Sequence, residues 1–287
     1  MNMELGSKKK VSVIVPNYNY AKYLRKRIDS ILKQTYPIDE LIILDDASTD
    51  DSRKVIEKLV AGVKKRKPEL TIKTIFNEKN SGKAISQWLM GVKEAKGDYV
   101  WIAEADDGSR KNYLAEVMKG FDEPDVVLSY AESAIINGLG LVIFPNFRWS
   151  RDKEGTGHFN KSYIRSGKDE IREIMAIRCT IPNVSAVVFK KTPELLQCLE
   201  QAQKYTQVGD WYLYAKLLES GKISYERKSL NLFRIHRGSA TERGETHLKE
   251  LAEMHEYFRK NFDLDETVLR RMEAEMQRAR SKYGIIE

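Results

Sequence analysis

The sequence predicts an α/β domain with a mostly parallel central sheet and helices on both faces. Over the first 110 residues, four short apolar segments typical of strands alternate with segments in which apolar residues recur at helical spacing. Strands that alternate with helices over short connections pair in parallel through right-handed crossovers. Polar or acidic residues follow each strand, so we expect them to meet at one edge of the sheet, where such sheets bind ligands.

The elements of this first part follow from residue type and spacing. Segments rich in β-branched and other apolar residues predict strands at 11–15, 40–44, 70–76 and 99–103. Apolar residues at helical spacing predict helices at 21–33, 51–66, 83–95 and 112–119.

The alternation changes after residue 110. The sequence predicts strands at 126–130, 223–227 and 230–236, a hairpin over 134–144, and a segment at 180–189 that begins polar and ends as a strand. Helices are predicted at 169–177, 193–202 and 210–218, and residues 145–168 are expected to form an irregular, mobile loop. Residues 241–283 are helical and highly charged. Their narrow apolar stripe is expected to dock on the domain itself, with a neighbouring module or a membrane surface as alternatives.

Composition narrows the class of protein and of partner. The chain has 287 residues, 41% of them hydrophobic, which is enough for a large core. The formal net charge of +7 favours an anionic partner: a nucleotide, a phospholipid surface or, least favoured because no binding signature accompanies the charge, nucleic acid. Cys179 and Cys198 lack metal-type spacing and predict reduced thiols in a cytoplasmic protein. No segment has transmembrane length or the character of a signal peptide.

Three carboxylates stand directly after the predicted strand 99–103. Glu104, Asp106 and Asp107 repel one another and lose hydration at the end of a buried strand, unless a positive group lies between them. A hard divalent cation that carries a diphosphate would be such a group. The alternative is a solvated acidic turn that caps the next helix. The loops contain neither Gly-x-Gly-x-x-Gly nor a Walker lysine motif, which argues against a dinucleotide dehydrogenase and a P-loop enzyme.

Four segments resemble, in order, the motifs of the family-2 inverting glycosyltransferases. They are Val-Ser-Val-Ile-Val-Pro-Asn-Tyr-Asn (11–19), Leu-Asp-Asp-Ala-Ser-Thr-Asp (44–50), Asn-Ser-Gly (80–82) and Gly-Asp-Tyr-Val-Trp-Ile-Ala-Glu-Ala-Asp-Asp (97–107). Gly-Asp-Trp (209–211) and Arg-Ile-His-Arg-Gly-Ser (234–239) also look like family features. The resemblance covers about residues 11–240 and implies the GT-A fold, a Rossmann-like sheet, here followed by the charged helical tail. Within the family, the chain looks most like modules of bacterial polysaccharide-assembly enzymes, including rhamnosyltransferase-like ones.

The resemblance implies a nucleotide site at the carboxyl edge of the sheet. Tyr18 would stack on the base, and Asp46 would accept a hydrogen bond from its imide, an edge that uridine and deoxythymidine share. The alternative for Asp46 is a helix-cap acid, and the alternative for Lys83 is a solvated helix lysine. The family's nucleotide-binding positions fall on Pro16, Tyr18, Asp46, Asn80, Lys83 and Asp106.

The resemblance also implies a metal site and a catalytic base. Asp107 and His236 would bind Mn²⁺ or Mg²⁺, and Glu104 departs from the aspartate usual in the family. Asp210 matches the base that deprotonates the acceptor hydroxyl; a helix N-terminus favours its ionised form, and a simple helix cap is the alternative. For His236 the alternative is a structural histidine. Asn183 and Trp211 would line the acceptor or donor sugar, with core packing as the alternative for Trp211.

The implied function is the metal-dependent transfer of a sugar from a UDP- or dTDP-linked donor to a glycan or lipid-linked acceptor, without nucleic acid. Alternatives are a sugar nucleotidyltransferase and a non-catalytic glycan- or partner-binding module. Residues 1–10 are expected to be a disordered lead-in or tag, which would make the chain one module of a larger glycosyltransferase. Residues 11–110 would bind the nucleotide-sugar, 111–240 the acceptor, and 241–287 would form a helical extension. The positive charge would suit the inner face of the cytoplasmic membrane.

Overall fold

The computed structural model describes residues 9–236 and 244–284. Most of the predicted lead-in, residues 1–8, lies outside these ranges, as do positions 237–239 of the last family motif. The described helices include none that is long and apolar enough to span a bilayer.

The secondary structure alternates as predicted in the first part of the chain. The strands are β1 Val11–Asn17, β2 Glu40–Asp45, β3 Thr71–Phe76, β4 Tyr99–Ile102, β5 Gly108–Ser109, β6 Val126–Ile136, β7 Val142–Phe144, β8 Tyr163–Ser166, β9 Val187–Lys190 and β10 Lys222–Arg234. The α-helices are α1 Ala21–Leu32, α2 Ser52–Arg66, α3 Ala84–Glu94, α4 Tyr113–Met118, α5 Arg148–Arg151, α6 Gly167–Glu170, α7 Pro193–Ala202, α8 Gly209–Leu218, α9 Gly244–Asn261 and α10 Glu266–Lys282. Short 3₁₀ segments cover Lys119–Asp122, His158–Asn160 and Val184–Ala186, and a π-helical turn covers Ile171–Met175.

The first four strands place their carboxyl ends at one edge of the sheet. The order along the sheet is β3-β2-β1-β4-β9-β6-β10-β5, and β3, β2, β1 and β4 are parallel to one another. Ile14 of β1 lies opposite Ile42 of β2 and Ile102 of β4. In chain order, β2 and then β3 are added on one side of β1, and β4 is added on the other side of β1. The gap between β1 and β4 is therefore the topological switch point, where ligands bind in such sheets.

The second part of the sheet mixes directions and contains longer strands than predicted. The antiparallel strand β9 lies between β4 and β6, and β10 runs parallel to β6. Residues 126–136 form one strand because neighbouring strands pair with them along their length. The strands predicted at 223–227 and 230–236 are likewise one strand, β10. Its pairing with β6 shifts between Glu226 and Ser229, where Arg227 and Lys228 are exposed.

Helices cover both faces of the sheet. Leu24, Ile28 and Ile56, from α1 and α2, are buried in the core on one face. The core on the other face contains Trp88 of α3 and Leu195 of α7, together with α8 and the two C-terminal helices. The predicted stripe of α9 docks on this second face: Leu251, Met254 and Phe258 are buried, and Tyr257 packs beside them.

A buried carboxylate ties α9 to the start of α8. Glu250 accepts hydrogen bonds from the backbone N–H groups of Thr206 (2.8 Å), Gln207 (2.7 Å) and Val208 (3.1 Å). These donors precede α8 and would otherwise be unsatisfied at a helix N-terminus. Helix α9 thereby fixes the segment that leads into Asp210.

We expect Glu250→Ala to lower the free energy of unfolding by about 2–3 kcal/mol, because it leaves three partly buried donors without their charged acceptor. Urea unfolding followed by circular dichroism measures this change. Glu256→Ala, on the exposed side of the same helix, is the control and should change stability by less than about 0.5 kcal/mol. Equal effects of the two substitutions would contradict the role of Glu250.

Candidate functional site

Three carboxylates converge at the carboxyl end of β4. One oxygen each of Glu104, Asp106 and Asp107 lies within 4.8 Å of the other two. Backbone hydrogen bonds from Ala103 to Ile14 (2.7 Å) and from Ala105 to Pro16 (3.3 Å) continue the pairing with β1 beyond the strand. The acidic triad therefore lies at the switch point between β1 and β4, at the position that the sequence predicted.

Residues from distant parts of the chain orient the acidic triad. Asp107 is 2% exposed and accepts hydrogen bonds from Asn183 Nδ2 (2.8 Å) and from the backbone N–H of Arg234 (2.9 Å). His236 Nε2 lies 3.0 Å from Asp106 Oδ2. The predicted metal residue His236 is thus in contact with a member of the triad. Asn183, which was predicted to line a sugar, contacts Asp107 directly.

Burial and mutual repulsion make the acidic triad electrostatically unfavourable. Burial, followed by the charge of Asp106, raises the pKa of Asp107 to about 6. The same two causes raise the pKa of Glu104 well above its ordinary value, with Asp107 adding to the effect. The triad therefore favours a compensating positive charge.

Arg27 supplies part of that charge from inside the protein. It is fully buried on α1, with its guanidinium carbon 5.0 Å from the centre of the Trp101 ring. Its charge opposes the rise in the pKa values of Glu104 and Asp107. None of its three guanidinium nitrogens has a hydrogen-bond acceptor within residues 9–236 and 244–284. Arg27 is not among the predicted site residues, although the sequence contains a signal for it: a cation in the apolar stripe of α1, between Leu24 and Ile28.

A cavity of about 410 Å³ opens beside the acidic triad. Tyr18, 44% exposed, forms part of its wall. The cavity brings together all the residues predicted to bind the nucleotide, which are Pro16, Tyr18, Asp46, Asn80, Lys83 and Asp106, and also Asp107.

Asp46 already has a full set of donors within the protein. Its carboxylate accepts hydrogen bonds from Asn77 Nδ2 (2.7 Å), from the N–H (3.0 Å) and Oγ (2.7 Å) of Ser81, and from Gln87 Nε2 (2.8 Å). A carboxylate offers about four acceptor positions, so a base imide would have to displace one of these donors. Asp46 thus fixes the loop after β3 to the loop after β2.

Two other predicted nucleotide residues also have partners in the protein. Asn80 Nδ2 donates to the backbone oxygen of Asp46 (3.1 Å). Lys83 Nζ donates to the backbone oxygen of Gln203 at the end of α7 (2.6 Å). Lys83 is therefore anchored across the cavity rim and is not a solvated helix lysine.

Asp210 lies on the wall of two further cavities. One, of about 460 Å³, is also lined by Lys83, Glu104 and Asn183. Lys83 and Glu104 also line the cavity beside the acidic triad, so the two cavities adjoin. The other, of about 390 Å³, lies against α9 and α10 and is lined on one side by Trp211. Burial raises the pKa of Asp210 to about 6, although its carboxylate accepts a hydrogen bond from the N–H of Trp211 (2.8 Å).

Trp211 is packed in the core. It is 3% exposed, its indole N–H donates to the backbone oxygen of Met175 (3.0 Å), and its ring centre lies 5.5 Å from that of Phe258. This environment corresponds to the packing alternative for Trp211. Gly209 and Asp210, the other two members of the Gly-Asp-Trp motif, line the cavity that Glu104 also lines.

Residues 12–179 match the family model "Glycosyl transferase family 2". The chain belongs to this family. An uncharacterised glycosyltransferase of a Nostoc species is 39% identical to this glycosyltransferase family 2 chain over 129 residues, which are 45% of the chain and 38% of that protein. The poly(ribitol-phosphate) β-N-acetylglucosaminyltransferase TarS of Staphylococcus aureus is 32% identical over 136 residues, which are 46% of the chain and 22% of TarS. The chain thus spans well under half the length of these relatives.

Solved structures show the same GT-A fold. The structure of TarS residues 1–349 with UDP-GlcNAc superposes with a TM-score of 0.65 at 20% identity, covering 96% of this family-2 chain and 73% of the TarS chain. The mannosyltransferase PcManGT of Pyrobaculum calidifontis, in complex with GDP-Man and Mn²⁺, gives a TM-score of 0.61 at 18% identity, covering 98% and 77%.

We expect Arg27→Met to destabilise the metal-free protein by about 3–5 kcal/mol, because it removes a buried charge that balances the acidic triad. Mn²⁺ should restore part of the loss, so the rise in melting temperature on adding Mn²⁺ should be larger than in the wild type. Thermal unfolding with EDTA and with Mn²⁺ measures both effects. Arg25→Met, at an exposed position of α1, serves as the control. A metal-induced rise no larger in Arg27→Met than in the wild type would contradict the balancing role.

Proposed function

We propose that this family-2 chain is a metal-dependent inverting glycosyltransferase that takes a sugar from a UDP- or dTDP-linked donor. The acceptor would be a glycan or a lipid-linked glycan in bacterial surface polysaccharide synthesis. One observation carries the proposal: the candidate base Asp210 and the acidic triad face adjoining cavities that share Lys83 and Glu104 in their walls. A donor diphosphate and an acceptor hydroxyl could therefore occupy one continuous space.

The residues at the end of β4 fit a hard divalent cation. Carboxylate oxygens are the ligands that Mg²⁺ and Mn²⁺ favour. Burial and mutual repulsion raise the pKa values of Glu104 and Asp107, and a cation between these acids would offset that repulsion. When bound, the cation would neutralise the charge that develops on the leaving diphosphate. Asp107 is the proposed ligand, His236 would bind the cation or hold Asp106, and Asp106 would contact the ribose.

The remaining residues of the first cavity would bind the nucleotide. Tyr18 is exposed enough to stack on the base, and Pro16 lies beside it. Asp46 would accept the imide N–H of the base in exchange for one of its present donors. Asn80 and Lys83 would approach the base or the phosphates, with Lys83 placed to supply positive charge at the shared wall of the two cavities.

Asp210 is the proposed general base. As the acceptor oxygen bonds to the anomeric carbon, the bond from that carbon to the diphosphate oxygen breaks, and the hydroxyl proton passes to Asp210. A base whose pKa lies near 6 is ionised at neutral pH and more basic than an ordinary aspartate. Asn183, which lines the same cavity, would contact the bound sugar. Trp211 is packed in the core next to Asp210 and would hold Asp210 in position.

The wider setting of the chain is also part of the proposal. Residues 11–110 would form the nucleotide-sugar half, residues 111–240 the acceptor half and residues 241–287 a helical extension. The name of TarS indicates transfer of N-acetylglucosamine to poly(ribitol-phosphate), which supports a polymeric acceptor here. Because the match covers only 22% of TarS, we propose that the chain works as one module of a larger enzyme. The net charge of +7 supports a peripheral position at the inner face of the cytoplasmic membrane.

A thermal-shift panel tests the donor and metal sites together. UDP or dTDP should raise the melting temperature with Mn²⁺ or Mg²⁺ but not with EDTA, whereas GDP and CDP should have little effect, because ligands stabilise the state they bind. Asp107→Ala should abolish the metal-dependent part of the shift. The exposed Asp263→Ala is the control. A wild type that responds to no nucleotide would favour the non-catalytic module.

The pH dependence of Asp210 provides a second test. Asp210→Asn should reduce transfer by about a hundredfold to ten-thousandfold while UDP binding persists, because only proton removal is lost. Wild-type transfer should rise as the pH increases through about 6, where the carboxyl group ionises.

The free energy of unfolding should change with pH in the opposite direction to the transfer rate. A folded-state pKa raised to about 6 means that the native state holds its proton longer than the unfolded chain, so stability is lost as the pH rises through about 6. Asp210→Asn should therefore melt higher than the wild type at about pH 8, and the difference should shrink below about pH 5. If Asp210→Asn retained wild-type transfer, Asp210 would not be the general base.

A further inference from the structure

An exposed apolar surface projects from the sheet next to the candidate site. We call residues 137–149 the apolar hairpin; they comprise the turn after β6, strand β7 and the start of α5. Leu139 is 76% exposed and Trp149 is 59% exposed. Nine large apolar side chains are exposed in the described residues, and six of them lie here: Leu139, Leu141, Val142, Ile143, Phe144 and Trp149.

The apolar hairpin has a defined conformation. Asn137 Oδ1 accepts hydrogen bonds from the backbone N–H groups of Leu139 and Leu141, both at 3.0 Å. Phe144 pairs with Ile135 of β6, and its ring centre lies 5.6 Å from that of Trp149. The fold therefore presents these side chains to solvent in a fixed arrangement, and an exposed patch of this kind marks an interaction surface.

Basic side chains flank the exposed face of the apolar hairpin. Residues 137–150 contain no acidic residue. Lys26 Nζ lies 3.4 Å from the backbone oxygen of Leu139, and Arg148 donates to the backbone oxygen of Arg227 (3.2 Å). Apolar side chains with an exposed tryptophan and flanking cations are the combination that binds the interface of anionic bilayers.

The apolar hairpin is joined directly to the candidate site. Arg234 Nη1 donates to the backbone oxygen of Asn137 (2.7 Å), and the backbone N–H of Arg234 donates to Asp107 (2.9 Å). A Cβ built on Gly138 would lie 3.9 Å from the Cβ of His236. Whatever binds the apolar hairpin is therefore held at the edge of the sheet that carries the acidic triad.

We propose that the apolar hairpin docks on the surface of an anionic lipid bilayer. A second copy of the chain fits less well, because a symmetric contact would bring Lys26 and Arg148 close to their own counterparts. The bilayer contact would account for the peripheral membrane position in the proposed function, but it does not depend on nucleotide binding or sugar transfer. The role of this bilayer contact would be to bring a lipid-linked acceptor to the carboxyl edge of the sheet, and that role rests on the proposed function.

Tryptophan fluorescence can report this docking selectively. The other tryptophans, Trp88, Trp101 and Trp211, are at most 7% exposed, so a change on membrane contact should come from Trp149. Vesicles of phosphatidylcholine with about 30% phosphatidylglycerol should shift the emission to shorter wavelength, and vesicles of phosphatidylcholine alone should not. Trp149→Phe should lose the shift while remaining bound in a vesicle flotation assay.

Substitutions on the exposed surface separate the apolar and charged contributions. The double variant Leu141→Ser/Trp149→Ser should weaken vesicle binding by at least about tenfold without lowering the melting temperature, because both side chains are exposed. Ile164→Ser is the matched control, since Ile164 is 47% exposed and pairs with Ser224, near the opposite end of β10. Lys26→Glu should weaken binding to the anionic vesicles, whereas Lys65→Glu, at the far end of α2, should not.

The outcomes distinguish docking from the other roles of the chain. Wild-type protein that fails to bind anionic vesicles, or a double variant that binds as the wild type does, would overturn the proposal. Concentration-dependent dimers that the double variant loses, without vesicle binding, would assign the surface to a second copy and would also overturn it. The vesicle assays use no nucleotide. Bound vesicles without a nucleotide thermal shift would therefore contradict only the proposed function.

Discussion

The repulsion among three carboxylates held together at the end of a buried strand is the constraint on which this architecture depends. Burial raises the pKa values of Glu104 and Asp107, so the triad costs free energy in the metal-free protein. Three groups of the surrounding structure reduce that cost. Arg27 of α1 contributes a positive charge, and Asn183 and the backbone N–H of Arg234 donate hydrogen bonds to Asp107. A cation among the three carboxylates would offset this repulsion, and their oxygens could hold one.

The region outside the family match completes the candidate site. The match ends at residue 179, yet Asp210 lies on the wall of a cavity that Glu104 of the triad also lines. Its helix begins where Glu250 of α9 binds three backbone N–H groups. Helix α9 therefore has a structural role within the domain: it fixes the segment that leads into α8 and Asp210.

Arg234 links the acidic triad to the apolar hairpin. Its backbone binds Asp107, and its guanidinium group binds the turn of the apolar hairpin. Under the proposed function, an acceptor delivered along the hairpin would arrive beside the acidic triad. The shared residue also means that movement of the hairpin and the geometry of the triad are mechanically connected.

The sequence by itself determined the alternation of the first four strands and helices, the edge at which the acids meet, and the family. These features are encoded locally, in periodicity and in the residues that follow each strand. The tertiary structure alone decided which polar groups are engaged. It saturates Asp46 with donors from the loop after β3 and from α3. It also buries Trp211 against α9 and places the charge of Arg27 close to the triad. It also joined the predicted strands 223–227 and 230–236 into β10, because β6 lies beside them. Each of these results depends on partners tens of residues apart in the chain, and local patterns do not specify such contacts.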